Sequence, residues 1–458
     1  MGKIRINAKT LIYIIILFTL NIQWMRDFIG LPLVIPNLHI ILLTILILLD
    51  LSKVVDYIRQ NNFWKLLFAF IVGSHIIGWI INLNADPILI VWTFYKTYAY
   101  FLFFIVCVIE LNVTDVKKIF VIMLACQILN VGFSAYEHSA LGLQSDYLGG
   151  IFGIRQGGNG FTNIFGVVLI NYLITLYIYN KQFLWLFFCI ITFLVIAAQA
   201  DIIGLIILIA ISLIITVISM RLSFRKYILI AAGIVGILVA KEVFASIYPE
   251  RFVYFQNIER LLKYIGGDSN SDGGIYGISR TNPFAQINRL YFNDNVGKYL
   301  FGYGFGNASY SDGVKLFQSE FYLRNAYFPY YWFSTAYVYL ETGITGLGIY
   351  LAVAIHCLSS SLKYIKVKGL KYWGVYELIL TIAYVFSFFY NQSITQSSAY
   401  LIYFGLAVPY IFDKDIKHLP NLYFKRVNYI NGKLLIYKKF PLNKEDYYEY
   451  KEHRQENA

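Results

Sequence analysis

Long apolar runs recur along almost the whole chain, and short polar or charged segments separate them. A helix that crosses a bilayer needs about 20 mostly apolar residues, because the hydrocarbon core is about 30 Å thick and each residue rises 1.5 Å. The pattern therefore predicts an all-α integral membrane protein. About twelve spans are predicted on this criterion, near residues 11–25, 33–49, 63–81, 88–110, 118–135, 164–180, 183–199, 202–220, 227–246, 335–358, 374–391 and 398–412.

One long polar segment interrupts this series and sets the predicted organisation of the chain. Transmembrane helices are expected in residues 1–246, a loop of short helices in 247–330, and three further transmembrane helices in 331–412. The last part, 413–458, is a polar, Tyr-rich tail of mixed charge. The chain shows no internal repeat of the kind that marks many transporters.

Composition narrows the class of protein further. Apolar residues make up 58% of the chain and charged residues 14%, whereas about 25% of the residues in an ordinary soluble domain are charged. This difference excludes a water-soluble enzyme. The net charge of +12 fits membrane orientation better than nucleic-acid binding, because Lys and Arg gather in alternate connecting segments.

The placement of these basic residues predicts the orientation. Most of them precede the first predicted helix, follow every second helix or lie in the tail, whereas the short segments opposite carry only Arg26 and Arg155. Short connecting segments rich in Lys and Arg stay in the cytoplasm. Both termini are therefore expected to be cytoplasmic. The loop at 247–330 is expected to be extracytoplasmic, since long loops cross a membrane regardless of their charge.

A candidate anion-binding turn precedes the helix predicted at 164–180. Arg155 is followed there by Gly157, Gly158, Asn159 and Gly160, and glycines let backbone N–H groups approach an anion closely. Because the N-terminus of a helix also favours negative charge, the turn is a candidate phosphate site. The chain has no GxxxxGK[ST] motif, so the energy for any bond formation is expected to arrive with the substrate.

The long loop supplies two more arginines and three closely spaced glycines. Arg280 and Arg289 are nine residues apart, so they need not share one face of a helix. Guanidinium groups stay charged and bind phosphate in a bidentate fork, although an ordinary ion pair with a loop acid is the alternative for each. Gly302, Gly304 and Gly306, in the stretch LFGYGFG, complete the candidate substrate-binding residues.

Charged residues within or at the ends of apolar segments are costly there and tend to mark a pair or a functional site. Glu341 is chosen from this group as a candidate catalytic residue, with helix capping or orientation as the alternative. The others are Lys96, Asp201, Lys241 and Glu377. The four cysteines fall in apolar segments without metal-binding spacing, so neither a metal nor a cofactor is expected.

Several patches, in their order along the chain, resemble the O-antigen and capsular polysaccharide polymerase family (Wzy-type), which is similar to the O-antigen ligases. They are Arg155 with its glycine-rich turn, the loop arginines, the LFGYGFG stretch, and YLETGITG at residues 339–346. The resemblance covers the topology of most of the chain, but its motifs cover only these short patches. It implies a GT-C-like glycosyltransferase in the bacterial cytoplasmic (inner) membrane.

The resemblance also implies an activity and partners. Such an enzyme transfers a growing glycan from undecaprenyl pyrophosphate onto an incoming lipid-linked oligosaccharide repeat unit, at the outer face of the membrane. Membrane lipid and a chain-length regulator protein are its expected partners, and no nucleic acid or cofactor is expected. Arg155, Arg280 and Arg289 are expected to surround one pocket and to stabilise the departing pyrophosphate.

Two alternatives stay open. Ligases of this superfamily carry a His shortly before the Glu-x-Gly-x-x-Gly element, whereas this chain has no His between His138 and His356. A polymerase is therefore preferred to a ligase. A lipid-linked oligosaccharide flippase or other transporter would predict a two-fold repeat, charges inside the bundle and short outer loops. The single long loop argues against that class.

Overall fold

The computed structural model describes residues 7–32, 34–82, 86–155, 157–180, 183–252, 257, 259–260, 278–311, 313–367, 369–418, 424–430 and 433–440. Helices joined by short connections form its first half. They are α1 (Ala8–Ile29), α2 (His39–Leu49), α3 (Leu51–Gln60), α4 (Asn62–Asn82), α5 (Pro87–Thr97), α6 (Ala99–Glu110), α7 (Val113–Ser139), α8 (Gly158–Asn180), α9 (Leu184–Gln199), α10 (Ile203–Ser219) and α11 (Phe224–Ile247).

Short helices occupy the described part of the predicted loop, of which residues 261–277 lie outside the described residues. They are α12 (Pro249–Phe252), α13 (Pro283–Ile287) with a π-helical turn (Asn288–Phe292) after it, α14 (Val296–Phe301) and α15 (Glu320–Asn325). The last long helices are α16 (Ser334–Lys366), α17 (Lys371–Tyr390) and α18 (Ala399–His418). Strands β1 (Phe424–Ile430) and β2 (Lys433–Phe440) then pair antiparallel in the tail.

The length and apolar composition of the helices indicate a membrane protein. Within the described residues, seven helices are long and apolar enough to cross a membrane: α1, α4, α7, α8, α11, α16 and α17. Two bent helix pairs raise the number to nine if each pair is one span, with bends of 74° in residues 35–60 and 51° in residues 87–110. The predicted number of about twelve also counts α18 and the shorter apolar helices α9 and α10.

The structure differs from the predicted spans at two bends and at one helix start. The apolar run that ends at Leu49 bends at Asp50 and continues as α3, and the run at 88–110 breaks at Tyr98. Helix α8 begins at Gly158, well before residue 164. Its first residues are glycine and polar residues, which lower the hydropathy of this turn but are tolerated at a helix start. Asn159 and Gly160 therefore belong to α8.

Helix α8 lies at the centre of the bundle. In its most apolar stretch 94% of the residues are buried, against 28% in α4. The ring of Tyr172 in α8 stacks on Phe120 of α7 at 3.5 Å and lies 6.0 Å from the ring of Trp373 in α17. Helix α4 instead exposes large apolar side chains such as Leu66 and Phe70. An apolar exterior of this kind is what lipid, rather than water, surrounds.

The two ends of the bundle differ in chemistry. One end carries the described residues of 278–333, which are called the loop segment, and this end is called the loop end. Asp27 in the last turn of α1 accepts a hydrogen bond from the Ile154 N–H at 3.0 Å, just before α8 starts. The carbonyl oxygen of Tyr390, the last residue of α17, accepts one from Arg280 Nε at 3.0 Å. The ends of α1 and α17, the start of α8 and the loop segment therefore meet here.

Ion pairs and helix-end contacts hold the opposite end together. Lys9 near the start of α1 pairs with Asp115 of α7 at 2.7 Å. The ammonium group of Lys414 donates to three carbonyl oxygens where α6 ends, at 2.7, 2.9 and 2.7 Å. The last carbonyl groups of a helix have no hydrogen-bond donor within it and carry partial negative charge. A lysine there donates hydrogen bonds to them and supplies the opposite charge. The first helix and the last helix are both fixed at this end.

A capping box explains why α7 begins where it does. The Asn112 side chain accepts hydrogen bonds from the N–H groups of Thr114 at 2.9 Å and Asp115 at 3.0 Å. In return, the Asp115 carboxylate accepts one from the Asn112 N–H at 3.1 Å. The two side chains satisfy donors that have no partner within the helix. Asp115 therefore caps α7 and anchors α1 through Lys9.

Close packing of α18 against α8 and α17 gives a first prediction. A Cβ atom at Gly405 would lie 2.8 Å from Leu380 Cδ1 and 3.3 Å from both Val168 Cγ1 and the Tyr376 hydroxyl oxygen. We expect Gly405→Val to lower the free energy of unfolding by about 1 to 3 kcal/mol, because an overpacked core forces side chains out of their rotamers. Gly348→Val in α16 is the control, since its Cβ position has no neighbour within 4 Å. Equal thermal midpoints of the two variants in detergent would contradict this packing.

Candidate functional site

A cavity of about 220 Å³ lies at the loop end of the bundle. Distant parts of the chain form its wall: the end of α1, the turn before α2, α5, the turn before α8, and the segment between α17 and α18. Among the described residues, the cationic side chains in this wall are Arg26, Lys96 and Arg155. Of these, only Arg155 had been chosen from the sequence as a site residue.

One carboxylate joins the two arginines of the cavity. Asp27 pairs with Arg26 through Nε at 2.7 Å and Nη2 at 3.0 Å, and its Oδ1 also accepts from Arg155 Nε at 3.0 Å. The Asp27 side chain is only 2% exposed, whereas that of Arg155 is 54% exposed. Because two guanidinium groups share one carboxylate, the group keeps an excess of positive charge at the cavity wall.

The turn before α8 approaches Asp27 and the cavity at glycines. At Gly153, where φ is +83°, an added Cβ would lie 2.2 Å from Asp27 Oδ2. Gly157, with φ of +97°, and Gly158, the first residue of α8, line the cavity beside Arg155. The predicted combination of an arginine, a glycine turn and a helix start is therefore present in this wall. A helix start offers backbone N–H groups and partial positive charge to an anion.

Glu137 of α7 anchors the turn before α8 through a hydrogen bond to its backbone. Its carboxylate is fully buried and accepts a hydrogen bond from the Gly150 N–H at 2.7 Å. Asn130, two turns earlier on α7, accepts one from the Ile151 N–H at 3.1 Å. Sequence reasoning missed both residues, although their spacing of seven places them on one face of a helix. They fix the backbone that leads to Arg155.

The other two residues predicted in this turn have different contacts. The Asn159 side-chain amide donates to Asp146 Oδ1 at 2.5 Å. The carbonyl oxygen of Gly160 accepts a hydrogen bond from the Ser393 hydroxyl at 3.1 Å, and an added Cβ at Gly160 would lie 2.8 Å from that hydroxyl oxygen. Both residues join α8 to neighbouring segments rather than forming the cavity wall.

Lys96 enters the cavity from the last turn of α5, next to the break at Tyr98. Its ammonium nitrogen lies 3.2 Å from the centre of the Tyr310 ring and 5.6 Å from that of Trp92. Aromatic faces attract cations in this position. The sequence placed Lys96 among the charged residues of apolar segments, but nothing in its neighbours showed that the helix ends there and turns the side chain toward a cavity.

Arg280 lies behind the cavity wall. Its Nε donates to the carbonyl oxygen of Tyr390, and its guanidinium carbon lies 4.2 Å from the centre of the Tyr390 ring. Gln392, two residues further on, lines the cavity and would be met at 3.0 Å by a Cβ added to Gly157. Arg280 therefore fixes the end of α17, from which the cavity-lining segment continues.

Arg289 lies in the π-helical turn after α13, where its Nη2 donates to Gln286 Oε1 at 2.7 Å. The residue is exposed and is not among those that line the cavity. The expectation that Arg155, Arg280 and Arg289 surround one pocket therefore needs correction. Spacing in the sequence could not show this, because Arg280 lies in a bend before α13 and Arg289 in the π-helical turn after it, so the two side chains reach different places.

The structure gives Glu341 a task other than the expected catalytic one. Its side chain is fully buried in α16, outside the cavity wall. Its carboxylate oxygens accept hydrogen bonds from the Gly306 N–H at 2.5 Å and the Ala308 N–H at 2.9 Å. A buried carboxyl group that accepts hydrogen bonds from two backbone N–H groups is held in one position, because the donors and acceptors would otherwise be buried without partners. Glu341 thus ties the loop segment to α16, a role that differs from both the catalytic one and the helix cap considered from the sequence.

The three loop glycines permit this close approach instead of lining the cavity. A Cβ added to Gly302 would lie 2.4 Å from the backbone of Glu341, and one added to Gly306 would lie 3.0 Å from the Ile90 backbone nitrogen. At Gly304 the obstacles are Asn307 Nδ2 at 2.7 Å and Asn82 Cβ at 2.8 Å. All three have positive φ. The LFGYGFG stretch is therefore a packing motif around α16, α4 and α5.

The same segment continues to the aromatic residue beneath Lys96. The Tyr330 hydroxyl donates to the Ala308 carbonyl oxygen at 2.7 Å, and the Trp92 indole N–H donates to the Tyr310 carbonyl oxygen at 2.9 Å. Burial raises the pKa of Tyr330 well above its usual value, so its hydroxyl stays protonated and able to donate. These contacts fix the position of the Tyr310 ring.

The remaining wall residues suit a ligand with an anionic part and a polar, ring-shaped part. Amide side chains offer hydrogen bonds, and aromatic rings offer flat apolar faces. The amides are Gln23, Asn37, Gln392 and Gln396, and the aromatic residues are Trp92, Tyr95, Tyr100, Phe152 and Phe161. In the part of the chain that the structure describes, no three His, Cys, Asp or Glu residues gather as metal ligands.

No protein-family model matches the chain, and no curated protein matches it either. The fold and cavity define it as a helical membrane protein with a cationic cavity at one end of the bundle.

The carboxylate of Glu341 gives a second prediction. We expect Glu341→Gln to lower the free energy of unfolding by about 1 to 3 kcal/mol, because the amide nitrogen would face a buried backbone N–H that loses its acceptor. Glu377→Gln in α17 is the control. Glu377 is equally buried, and no backbone N–H of the described residues donates a hydrogen bond to its oxygens. A greater loss of thermal stability in the Glu377 variant would contradict the role of Glu341.

Proposed function

We propose that this protein is a membrane glycosyltransferase that polymerises oligosaccharide repeat units carried on undecaprenyl pyrophosphate. The observation that supports it best is the group of Arg155 and Arg26 on one buried carboxylate, beside Gly157 and the start of α8. This group lies within a cavity that also presents amides and aromatic rings. Such a cavity suits a diphosphate joined to a sugar.

The arginines have the properties that a pyrophosphate leaving group requires. Guanidinium groups remain charged at any physiological pH and offer several donors in a plane, so they match phosphate oxygens. Arg155 is more than half exposed, so its donors remain accessible from the cavity. Asp27 orients both arginines while cancelling only one of their two charges. Donors placed in advance around a developing negative charge stabilise it without reorganisation.

The proposed reaction is a glycosyl transfer. A hydroxyl oxygen of the incoming repeat unit attacks the anomeric carbon of the growing glycan, and a new C–O bond forms. The bond between that carbon and the phosphate oxygen breaks, and undecaprenyl pyrophosphate departs with the electron pair. The hydroxyl proton passes to water. No nucleotide is consumed, because the pyrophosphate linkage of the substrate supplies the driving energy.

The residues chosen from the sequence take different parts in this proposal. Arg155 contacts the diphosphate directly, and Arg26 joins it from the end of α1. Arg280 acts as a positioning residue through Tyr390 and the segment that follows it. Glu341 and the glycines of the LFGYGFG stretch hold the loop segment in place.

The loop end is proposed to face outward from the bacterial cytoplasmic (inner) membrane. Basic residues at the opposite end support this orientation, because positively charged connecting segments stay in the cytoplasm. Lys9 and Lys53 lie there, as do Lys117 and Lys118 at the start of α7 and Arg225 at the start of α11. Both chain termini are then cytoplasmic, and the cavity opens toward the side where lipid-linked repeat units are joined.

A reconstituted assay tests this function. Purified protein in lipid nanodiscs receives lipid-linked repeat units and no nucleotide, and the products are separated by length on a gel. We expect longer glycans to form, with Arg155→Ala reducing the rate by about 10²- to 10³-fold, as for the loss of one donor to a developing negative charge. Arg324→Ala is the control, since Arg324 forms an exposed pair with Glu320 within α15.

Other outcomes distinguish the alternatives. Repeat units that change sides in vesicles without becoming longer would identify a flippase instead. A ladder that Arg155→Ala leaves unchanged while Arg289→Ala shortens it would move the site away from the cavity and toward the exposed loop.

A further inference from the structure

One face of the first turns of α7 carries polar residues first and apolar residues next. Thr114, Lys117 and Lys118 come first, and Val121 and Ile122 follow one turn later. Residues three or four positions apart are neighbours on a helix surface, so these five side chains form one continuous strip. They line a groove of about 480 Å³ at the end of the bundle opposite the cavity.

Tyr13 of α1 forms the other side of this groove. Its hydroxyl donates to the backbone carbonyl oxygen of Asp115 at 3.2 Å and lies 3.3 Å from the carboxylate of the same residue. Lys9, one turn earlier on α1, pairs with this carboxylate at 2.7 Å, and the Asp115 side chain is only 9% exposed. Asp115 therefore joins α1 to α7 within their contact, and it is not among the residues that line the groove.

We propose that this groove binds a membrane phospholipid with an anionic headgroup. The phosphate lies beside the ammonium groups of Lys117 and Lys118, and an acyl chain lies along Val121 and Ile122. This site is separate from the cavity, and it does not depend on the proposed glycosyl transfer. With the proposed orientation of the protein, the lipid belongs to the cytoplasmic leaflet, where anionic lipids give the membrane a negative surface potential.

The order of polar and apolar residues along the strip matches the order of headgroup and chains in a phospholipid. Helix α7 is long and apolar enough to cross a membrane, so its first residues lie at the membrane surface and later residues lie in the hydrocarbon. Val121 is 66% exposed and lies four residues beyond Lys117, about 6 Å along the helix axis. Lysine stems cover apolar surface while their ammonium groups stay near water and phosphate.

An anionic phospholipid suits both parts of the groove, whereas other ligands suit only one. A soluble phosphate would contact the lysines and leave the apolar strip uncovered. A zwitterionic lipid would cover the strip but bring no net negative charge to the lysines. Two acidic residues beside the first turn of α7 have other contacts, since Asp115 pairs with Lys9 and Asp415 accepts a hydrogen bond from the Val113 N–H at 2.8 Å.

The experiment compares two lipids that have the same chains, the anionic dioleoyl-phosphatidylglycerol and the zwitterionic dioleoyl-phosphatidylcholine. Dissociation constants are measured by native mass spectrometry on the full-length protein in a neutral detergent. We expect the wild type to bind the anionic lipid about 10- to 30-fold more tightly, because each of the two lysines contributes about a fivefold gain. Glycerol 3-phosphate, which has the phosphate but no chains, should not displace this lipid at the same concentration.

Double variants locate the preference. Lys117→Gln with Lys118→Gln should abolish most of it, and Lys117→Arg with Lys118→Arg, which keeps both charges, should retain it. The matched control is Lys363→Gln with Lys366→Gln, because these two exposed lysines lie in the last turn of α16, at the same end of the bundle, and do not line the groove. Thermal midpoints establish that each variant is folded. If the first double variant does not fold, the single variants, each expected to reduce the preference about fivefold, still test the inference.

Equal binding of both lipids by the wild type would overturn the inference, and so would an unchanged preference in the folded variant that lacks Lys117 and Lys118. An equal loss in the control that lacks Lys363 and Lys366 would assign the preference to the overall charge of the protein, which also contradicts the groove. Displacement by glycerol 3-phosphate would identify a site for a soluble phosphate instead. The binding assay contains no glycan and needs no turnover, so its failure is distinguishable from a failure of the polymerisation assay.

Discussion

Buried carboxylates that bind loop backbone N–H groups are the constraint on which the loop end depends. Asp27, Glu137 and Glu341 each lie on a long helix and each accept hydrogen bonds from a glycine-rich segment. In a medium of low dielectric constant such bonds are strong, and leaving a buried carboxyl group without partners is costly. Each loop is therefore held in one arrangement, because any other arrangement would strand a carboxylate among apolar side chains.

This constraint connects the membrane helices to the chemistry of the cavity. The turn held by Asp27 and Glu137 carries Arg155 and the start of α8. The segment held by Glu341 leads to Tyr310, whose ring lies beneath Lys96. Arg155 lies in that turn rather than in a helix, and Lys96 of α5 also depends on the loop segment for its contact with the Tyr310 ring. The bundle thus supplies carboxyl groups as anchor points, and the segments that they hold bring Arg155 and the Tyr310 ring to the cations Arg26 and Lys96 of the helices.

The sequence predicted the parts that depend on local pattern. Apolar runs of sufficient length predicted the helices, and the arginine next to closely spaced glycines predicted the turn at Arg155. It could not predict partners that are distant along the chain, such as the contact between Gly306 and Glu341, 35 residues apart. The break at Tyr98 was hidden because residues 88–110 contain no Gly or Pro and are mostly apolar. Lys96 was therefore not distinguished from the other charged residues of apolar segments.

Arg289 shows the opposite error. Its residue type suited phosphate binding, but residue type does not determine which way a short helix faces, and the loop helix exposes it. Arg26 was overlooked because it was counted only as a marker of orientation. Its neighbour Asp27 was the available indication, since charged residues at the end of an apolar segment tend to mark a pair or a functional site.

The break in the helix at Tyr98 also affects how a charged ligand would respond to the membrane potential. Lys96 lies nine residues beyond Pro87 along α5, which at 1.5 Å per residue corresponds to about 14 Å along the helix axis. Under the proposed function, a ligand phosphate that reached Lys96 would cross part of the transmembrane voltage. For a doubly charged headgroup the work is of order 1 kcal/mol per 100 mV. With the proposed orientation and a negative cell interior, an energised membrane would oppose entry of the headgroup and favour release of the spent carrier.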